Sequence, residues 1–297
     1  MSSTPAHRRP DFLLIGAMKA GTTSLFHDLN AQAGVFIPAD KEPTTLVHRK
    51  DDHEALAEYD KLFAPAQPGD LLGDASTGYA KLPEVDPGLA ERAARLCAPG
   101  AKILYLVRNP VDRMLSHYHH DLSGGLYDGP LGSGLREIPH ILEFSLYGYQ
   151  LEPWIKAFGP ERVHVVHFRR YTRERAAVVE EVCRFLGVAY DPAKATEEVH
   201  NRSDGKPLMK GAYRWFQFMG IYRYLIRPLI PPRLRIKLTS ILIPQAPPRP
   251  KKMPRESFEE IRPRLEEDSR RMSEQLGWPM PVFDLTKSVD QPDENPG

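Results

Sequence analysis

The sequence predicts an α/β fold in which a central, mainly parallel sheet is flanked by helices. Short apolar runs alternate with segments of helical periodicity, and each run ends in glycine or a charged residue. The predicted strands cover residues 11–16, 71–74, 102–107 and 162–168. Strands that alternate with helices favour parallel pairing with right-handed crossovers, which places helices on both faces of the sheet.

A helix is predicted after each predicted strand, and a loop separates the first strand from its helix. Apolar residues recur at helical spacing after Gly21, between the second and third strands, from 111 to 122 after Pro110, and before Gly187, a typical helix stop. A final helix ends at Gly277. Its apolar face consists of Phe258, Ile261, Leu265, Met272 and Leu276.

The composition is that of a soluble globular protein. The chain has 297 residues, 41% of them apolar and 27% charged, and a formal net charge of +1, which excludes a disordered, highly charged chain. Cys97 and Cys183 lie in amphipathic helical patterns, so we expect buried thiols and a reducing compartment. Because neither a secretory signal nor a long apolar span is present, we expect a cytoplasmic location.

The chain divides into five segments. We expect a disordered N-terminus (1–10), a core (11–200), a basic, proline-rich and aromatic-rich helical insertion or lid (201–255), a C-terminal helix that packs back on the core (256–287) and a disordered tail (288–297). Residues 202–255 contain thirteen Lys or Arg and one acid. Within them, residues 206–252 could form a lid, a platform for an anionic or lipid-linked acceptor with peripheral membrane contact, or a packed helix pair.

The loop that follows the first strand has the features of an anion site. Its sequence is GAMKAGTTS, from Gly16 to Ser24, and it joins a strand to a helix N-terminus, where backbone N–H groups point outward. Lys19 adds a positive charge. The alternative is an ordinary turn with a capping threonine. The glycine spacing is that of a Walker A loop, but threonine replaces the lysine that should follow the second glycine.

A second anion site is predicted where the third strand ends. Arg108 follows that strand, and Ser116 lies two helical turns later, so the two side chains could hold one phosphate. The alternative is a surface arginine and an ordinary helix serine. Two phosphate sites at neighbouring strand ends make the nucleotide interpretation more specific than either site alone.

The two segments KAGTTSL and RNPVDRMLSHY together resemble the 5′-phosphosulfate loop and the 3′-phosphate motif of sulfotransferases that use 3′-phosphoadenosine 5′-phosphosulfate (PAPS). The resemblance is strongest to the heparan sulfate and bacterial carbohydrate branch, and it implies a P-loop-type three-layer fold with PAPS as the sulfonyl donor. By this resemblance the cofactor-binding residues are Lys19, Ala20, Gly21, Thr22, Thr23, Ser24, Arg108, Ser116, Lys210 and Gly211.

The resemblance also implies the catalytic residues. In that branch the glutamate of a Lys-Glu motif is the general base, a role that falls on Glu42, while Lys19 assists the leaving phosphate. Without the motif around it, Glu42 would be interpreted as a solvent-exposed acidic residue in a loop. Lys41, Asp74, Ser76 and His117 are candidate acceptor-binding residues, although His117 could instead be a packing residue. We expect no metal requirement, since lysine and loop amides can stabilise the developing charge.

Three functions are compatible with these residues. The first is transfer of a sulfonyl group from PAPS to a hydroxyl of a carbohydrate, glycolipid or glycosylated natural product, with Glu42 as base. The second is a nucleotide kinase with an aberrant Walker loop and Asp74 as a magnesium ligand. The third is a non-catalytic nucleotide-binding membrane adaptor. Nucleic-acid binding is not expected, because no reading motif accompanies the basic segment.

Overall fold

Five parallel strands form one sheet at the centre of the fold. A computed structural model describes residues 7–194 and 246–291. The strands are β1 (Phe12–Gly16), β2 (Val35–Phe36), β3 (Leu71–Asp74), β4 (Lys102–Val107) and β5 (Val163–His167). Their order across the sheet is β2-β3-β1-β4-β5, and every neighbouring pair is parallel. The predicted α/β class is therefore confirmed.

Strands β1 and β4 form the buried centre of the sheet. Both are continuous apolar runs, as expected of strands that are covered on both faces. The register pairs Phe12 with Gly73 on one side and with Lys102 on the other. Gly16, Asp74 and Val107, where β1, β3 and β4 end, therefore lie along one edge of the sheet, and the predicted site residues follow them in the chain.

Residues 7–194 and 246–291 contain eleven α-helices. They are α1 (Thr22–Asn30), α2 (Thr45–His48), α3 (Asp52–Leu62), α4 (Leu89–Leu96), α5 (Pro110–Ser123), α6 (Leu131–Glu137), α7 (His140–Glu143), α8 (Tyr147–Phe158), α9 (Phe168–Arg173), α10 (Arg175–Leu186) and α11 (Arg255–Leu276). Short 3₁₀ turns lie at Thr77–Tyr79, Pro160–Arg162 and Pro192–Lys194. The four predicted strands occur within one residue of their expected bounds, whereas β2 was missed because two residues show no periodicity.

Helix α11 packs closely on α8, and Gly148 permits this approach. A Cβ atom at Gly148 would lie 2.9 Å from the Asp268 carbonyl oxygen and 3.0 Å from the Met272 nitrogen. The Asp268 carboxylate accepts hydrogen bonds from the backbone N–H groups of Gly148 (3.0 Å) and Tyr149 (2.8 Å). It thus caps the first turn of α8 from a neighbouring helix, and this contact fixes the C-terminal helix on the core.

The chain termini differ in part from the expected disorder. At the N-terminal end, His7 Nδ1 lies 2.6 Å from Asp60 Oδ2. At the other end, Ser288 Oγ donates to Asp112 Oδ1 (2.7 Å), so residues 288–291 of the predicted tail are bonded to the core. The C-terminal unit 256–287 is helical only to Leu276, because Gly277 in the left-handed conformation ends α11 and prolines follow.

Most of the basic segment, including Lys210 and Gly211, lies outside the described residues, so its proposed roles stay predictions. Residues 246–252 are described and run along α5, where His119 Nε2 lies 2.8 Å from the Pro247 carbonyl oxygen. Within the described ranges, no helix combines the length and the apolar character needed to span a bilayer.

The Asp268 cap predicts a pH-dependent contribution to stability. Burial raises the pKa of Asp268 to about 6, so ionisation costs more in the folded chain than in the unfolded one, where the usual value is 3.8. The contribution of Asp268 to the free energy of unfolding is therefore fully present below pH 3.8 and is lost as the pH rises through 6. Relative to Asp268→Asn, the wild type should lose up to about 3 kcal/mol between pH 4 and pH 7, measured by urea unfolding. A difference that stays constant with pH would contradict this prediction.

Candidate functional site

The loop between β1 and α1 presents backbone N–H groups at the sheet edge. The first helical hydrogen bonds of α1 run from Ser24 N and Leu25 N to the Gly21 carbonyl, so the N–H groups of Thr22 and Thr23 precede the helical ladder. Lys19 adopts a left-handed conformation with φ of +69°, which is uncommon for a residue with a side chain and typical of ligand-binding turns. The loop therefore has the geometry of an anion site.

The phenyl ring of Phe168, the first residue of α9, lies against both predicted phosphate motifs. A Cβ atom at Gly21 would approach this ring to 2.7 Å, so only glycine fits there. The Arg108 guanidinium lies over the same ring, 4.9 Å from its centroid, and Arg108 Nη1 donates to the Lys19 carbonyl (3.4 Å). The two motifs, about 90 residues apart in sequence, thus meet at one site.

Arg108 keeps hydrogen-bonding capacity toward a ligand. Its Nε is buried and has no hydrogen-bond partner among the described residues, and the same is true of Arg249 Nε. Burial, and then the positive charge of Arg249, lower the pKa of Arg108. Ser116, on the same helix that Arg108 precedes, is buried at 3% exposure. Two neighbouring guanidinium groups with unused N–H groups fit a phosphate, so the residues present fit the 3′-phosphate of PAPS.

Arg249 is a candidate site residue that the sequence motifs do not mark. Its Nη2 donates to the Asp112 carbonyl (3.3 Å) and lies 3.7 Å from the Asp112 carboxylate, at the N-terminal end of α5. The family resemblance implies Lys210 and Gly211 as the C-terminal contacts to the 3′-phosphate, and both lie outside the described residues. In the sequence Arg249 is simply one arginine in a proline-rich run, and such a run shows no periodicity that would indicate its position in the fold.

Arg113 is a completely buried cation behind the phosphate loop, and it too was missed as a site residue. Its guanidinium donates to the Met18 carbonyl (3.4 Å) and the Ile141 carbonyl (2.6 Å), and its Nε donates to Ser145 Oγ (2.6 Å). Within the described ranges it forms no ion pair with a carboxylate. Burial lowers the pKa of Arg113 to about 10, so it stays charged at neutral pH.

Glu42 lies beside the phosphate loop. Lys41 Nζ donates to Glu42 Oε1 (2.8 Å) and lies 3.5 Å from Thr22 Oγ1 at the start of α1. Thr77 Oγ1 donates to Glu42 Oε2 (2.8 Å). Burial acts to raise the pKa of Glu42, but Lys41, Thr77 and Lys81 outweigh it and hold the pKa below its usual range. The carboxylate is thus ionised, and 43% of its side chain is exposed.

Two of the predicted acceptor-binding residues are buried beneath Glu42. Asp74 and Ser76 are both 0% exposed, and Ser76 Oγ donates to Asp74 Oδ1 (2.5 Å). Tyr59 and Tyr79 hydroxyls donate to the other Asp74 oxygen. Asp74 therefore does not face an acceptor, and its oxygens are not available to the magnesium ion that the nucleotide-kinase alternative requires.

His117 is also buried and belongs to a polar cluster with Asp121 and His140. Arg113 Nη2 donates to His117 Nδ1 (3.0 Å), which places the His117 proton on Nε2, 3.5 Å from Asp121 Oδ2. His140 Nε2 lies 3.6 Å from the same oxygen. A metal ion would need the His117 Nε2 lone pair, so this donor set fits a hydrogen-bonded chain better than a cation.

A strip of polar side chains leads away from Glu42. Lys81, whose charge acts on Glu42, lies over the Phe144 ring at 5.7 Å, and the His140 ring stacks on Phe144 at 5.3 Å. His140 Nδ1 lies 3.2 Å from Glu84. His140 and Glu84 are 32% and 51% exposed, so an acceptor could touch them, whereas His117 is buried.

Comparison with known proteins agrees with this geometry. The sulfotransferase domain family matches residues 9–206. This chain belongs to the sulfotransferase family. The predicted resemblance is thereby confirmed.

Curated relatives match over the same region. Bifunctional heparan sulfate N-deacetylase/N-sulfotransferase 3 from Homo sapiens is 29% identical over 201 residues, which is 61% of this chain and 22% of that protein. Bifunctional heparan sulfate N-deacetylase/N-sulfotransferase 1 from Mus musculus is 27% identical over 220 residues, 63% of this chain and 24% of that protein. The sulfotransferase chain thus spans less than a quarter of the length of either relative.

Solved structures share the fold. A sulfotransferase from Alicyclobacillus acidocaldarius superposes with a TM-score of 0.59 and 23% identity, covering 92% of this chain and 98% of that one. The sulfotransferase domain from the curacin biosynthetic pathway gives a TM-score of 0.50 and 17% identity, covering 93% and 100%. These similarities confirm the fold of the sulfotransferase core.

Gly21 provides a test of the phosphate-loop geometry. Gly21→Ala adds both the left-handed strain at φ of +98° and the clash with Phe168, so it should destabilise the fold by roughly 2 to 4 kcal/mol in urea unfolding. Gly34→Ala is the matched control, because Gly34 has φ of +76° and open space around its Cβ position. Equal losses in the two variants would show that Phe168 does not close over the loop.

Proposed function

We propose that this chain transfers a sulfonyl group from PAPS to a hydroxyl group of a carbohydrate, glycolipid or glycosylated natural product. The observation that carries the proposal is the contact of the Lys41–Glu42 pair with Thr22. It places an ionised carboxylate beside a loop built for a phosphate-type group. A candidate base and a candidate donor site are thus adjacent, as direct group transfer between two bound molecules requires.

PAPS, when bound, supplies the activated sulfonyl group together with a bisphosphate leaving group. The chain would hold it at two places. Lys19 and the N–H groups of Thr22 and Thr23 would hold the 5′-phosphosulfate, with Ala20, Gly21 and Ser24 completing the loop. Arg108, Ser116 and Arg249 would hold the 3′-phosphate. The buried charge of Arg113 acts on the loop from behind, where low polarity strengthens its effect on bound anions.

Glu42 would act as the general base. A hydroxyl group attacks poorly until its proton is removed, and a positioned carboxylate accelerates such a step by about 10² to 10⁴. Lys41 and Thr77 keep Glu42 ionised and hold its two oxygens, and the exposed part of the side chain can reach an acceptor. Lys19 would stabilise the negative charge that develops on the leaving phosphate.

A polyhydroxylated acceptor fits the strip formed by Lys81, His140 and Glu84. Carboxylate and imidazole groups can bond to several hydroxyls, and the stacked ring of His140 offers a flat surface for a sugar ring. The curated relatives are named for heparan sulfate, which supports a carbohydrate acceptor. Their names also specify N-sulfotransfer, so amine acceptors belong in the test panel. Peripheral membrane contact through residues 206–252 and a cytoplasmic location stay predictions.

Arg108 tests the donor assignment. Arg108→Ala should weaken binding of 3′-phosphoadenosine 5′-phosphate by about 10- to 100-fold in calorimetric titration, the loss expected for a charge-assisted hydrogen bond. Binding of adenosine 5′-phosphosulfate, which lacks the 3′-phosphate, should change less than threefold. Arg249→Ala should show the same selectivity with a smaller loss. Tighter binding of magnesium ATP than of the 3′-phosphorylated nucleotide would overturn the assignment.

Glu42 tests the mechanism. Glu42→Gln should lower kcat at least 100-fold while leaving the Kd of 3′-phosphoadenosine 5′-phosphate within twofold, since the base is needed only for the acceptor. The probe acceptors are p-nitrophenyl glycosides, chemically desulfated heparan sulfate and its N-deacetylated form, with radiolabelled PAPS as donor. Because the pKa of Glu42 is lowered, wild-type kcat/KM should fall only below about pH 4.5 on the acid side. Full activity of Glu42→Gln would exclude this base.

A further inference from the structure

Asp74 is the centre of a buried hydrogen-bond network at the end of β3. It is completely buried and accepts from three hydroxyl groups: Tyr59 (2.9 Å), Tyr79 (2.5 Å) and Ser76 (2.5 Å). All four side chains are at most 1% exposed. A carboxylate with three hydroxyl donors is well satisfied, so its position is rigid. No acceptor, metal or nucleotide can reach it in this arrangement.

Two sets of contacts connect the stretch beside Asp74 to the segment that carries Glu42. Ser76 Oγ, which donates to Asp74, also accepts from the Thr44 backbone N–H (3.0 Å). Thr44 has φ of +51°, a conformation that needs support from its surroundings, and its hydroxyl donates to the Glu42 carbonyl (3.0 Å). The backbone on both sides of Pro43 is thereby fixed relative to Asp74.

The second set of contacts reaches the carboxylate itself. Thr77, the next residue after Ser76, donates to Glu42 Oε2. Beyond Thr44, Leu46 N donates to the Tyr79 hydroxyl (3.3 Å), which itself donates to Asp74. These contacts come from the short stretch 76–79. In it the Ser76 and Tyr79 hydroxyls donate to Asp74, whereas the Thr77 hydroxyl donates to Glu42 and is joined to Asp74 only through its chain neighbour Ser76.

The charge state of Asp74 matters to this arrangement. Only an ionised carboxylate accepts three hydroxyl bonds without offering a proton of its own. Burial raises the pKa of Asp74, the three hydroxyl bonds oppose that rise, and the negative charge of Glu42 adds to it. The two carboxylates are thus close enough to interact, although no hydrogen bond joins them directly.

We infer that Asp74 is a positioning residue for Glu42. It holds the Ser76 side chain, which supports the Thr44 backbone beside Glu42, and so fixes the chain at Ser76, whose neighbour Thr77 donates to the Glu42 carboxylate. The inference rests on the proposed role of Glu42 as base. It assigns to Asp74 an effect on the acceptor half of the reaction, because the printed hydrogen bonds of its network lead to the Glu42 segment and, among the described residues, none of them ends on the phosphate loop.

A double-mutant cycle tests the inference. Asp74→Asn replaces one oxygen by an N–H donor and should lower kcat about 10- to 30-fold in the wild-type background, with the Kd of 3′-phosphoadenosine 5′-phosphate unchanged within twofold. In the Glu42→Gln background the same change should lower the residual rate less than twofold, since no base remains to be positioned. The assay uses radiolabelled PAPS with the most active probe acceptor, or with water if none is active.

Two further variants separate positioning from general damage. Ser76→Ala breaks the bridge to Thr44 but leaves both tyrosine bonds to Asp74, so it should reproduce part of the kcat loss even if Asp74→Asn folds poorly. Asp268→Asn is the matched control: it also alters a buried carboxylate, caps α8 instead, and should leave kcat within twofold of the wild type.

The outcomes distinguish the two proposals. If Glu42→Gln retains wild-type activity, the proposed base is wrong. If Glu42→Gln is impaired but Asp74→Asn multiplies that loss by the same factor as in the wild type, Asp74 acts independently of Glu42 and the inference is overturned. Unchanged kcat in both Asp74→Asn and Ser76→Ala would also overturn it.

Discussion

The phosphate loop depends on Arg113, a buried cation that forms no ion pair with a carboxylate among the described residues. The guanidinium of Arg113 joins the Met18 carbonyl of the phosphate loop to Ile141 in α7 and to Ser145, which follows α7. Taking an unpaired charge out of water is costly, so the surrounding carbonyl and hydroxyl dipoles must stay aligned to stabilise it. That requirement fixes the loop before any ligand arrives, and the positive field left over favours an anionic ligand at the loop.

Next to the phosphate loop, two negative charges are stabilised by hydrogen-bond donors, as the positive charge of Arg113 is stabilised by acceptors. Glu42 and Asp74 are two carboxylates close to each other, and each is stabilised by its own donors: Lys41 and Thr77 for the first, tyrosine and serine hydroxyls for the second. The site thus has a positive half that can hold a nucleotide and a negative half that can accept a proton. Lys41, which touches Glu42 and Thr22, lies at the boundary.

The sequence predicted the parallel sheet, four of its strands and the meeting of the two phosphate motifs, because these follow from local periodicity and from the rule that parallel strands end at one edge. It could not reveal Arg249 or His140, whose positions depend on long-range packing and not on spacing within a motif. It misjudged Asp74 and Ser76 for a related reason. A polar residue after a strand is ambiguous, since only the neighbouring tyrosines show whether it faces solvent or the interior.

The described residues 246–291 pack on the core although the family match ends before them. The family match stops at residue 206, yet Arg249, Met253 and Asp268 all contact the core beyond that point, and Ser288 bonds to the helix that carries Ser116. A chain cut at the family boundary would retain every strand of the sheet and still lack the second guanidinium near Arg108 and the cap of α8. The family match therefore ends before residues that contact the core, and excision of residues 9–206 alone would remove both Arg249 and the Asp268 cap of α8.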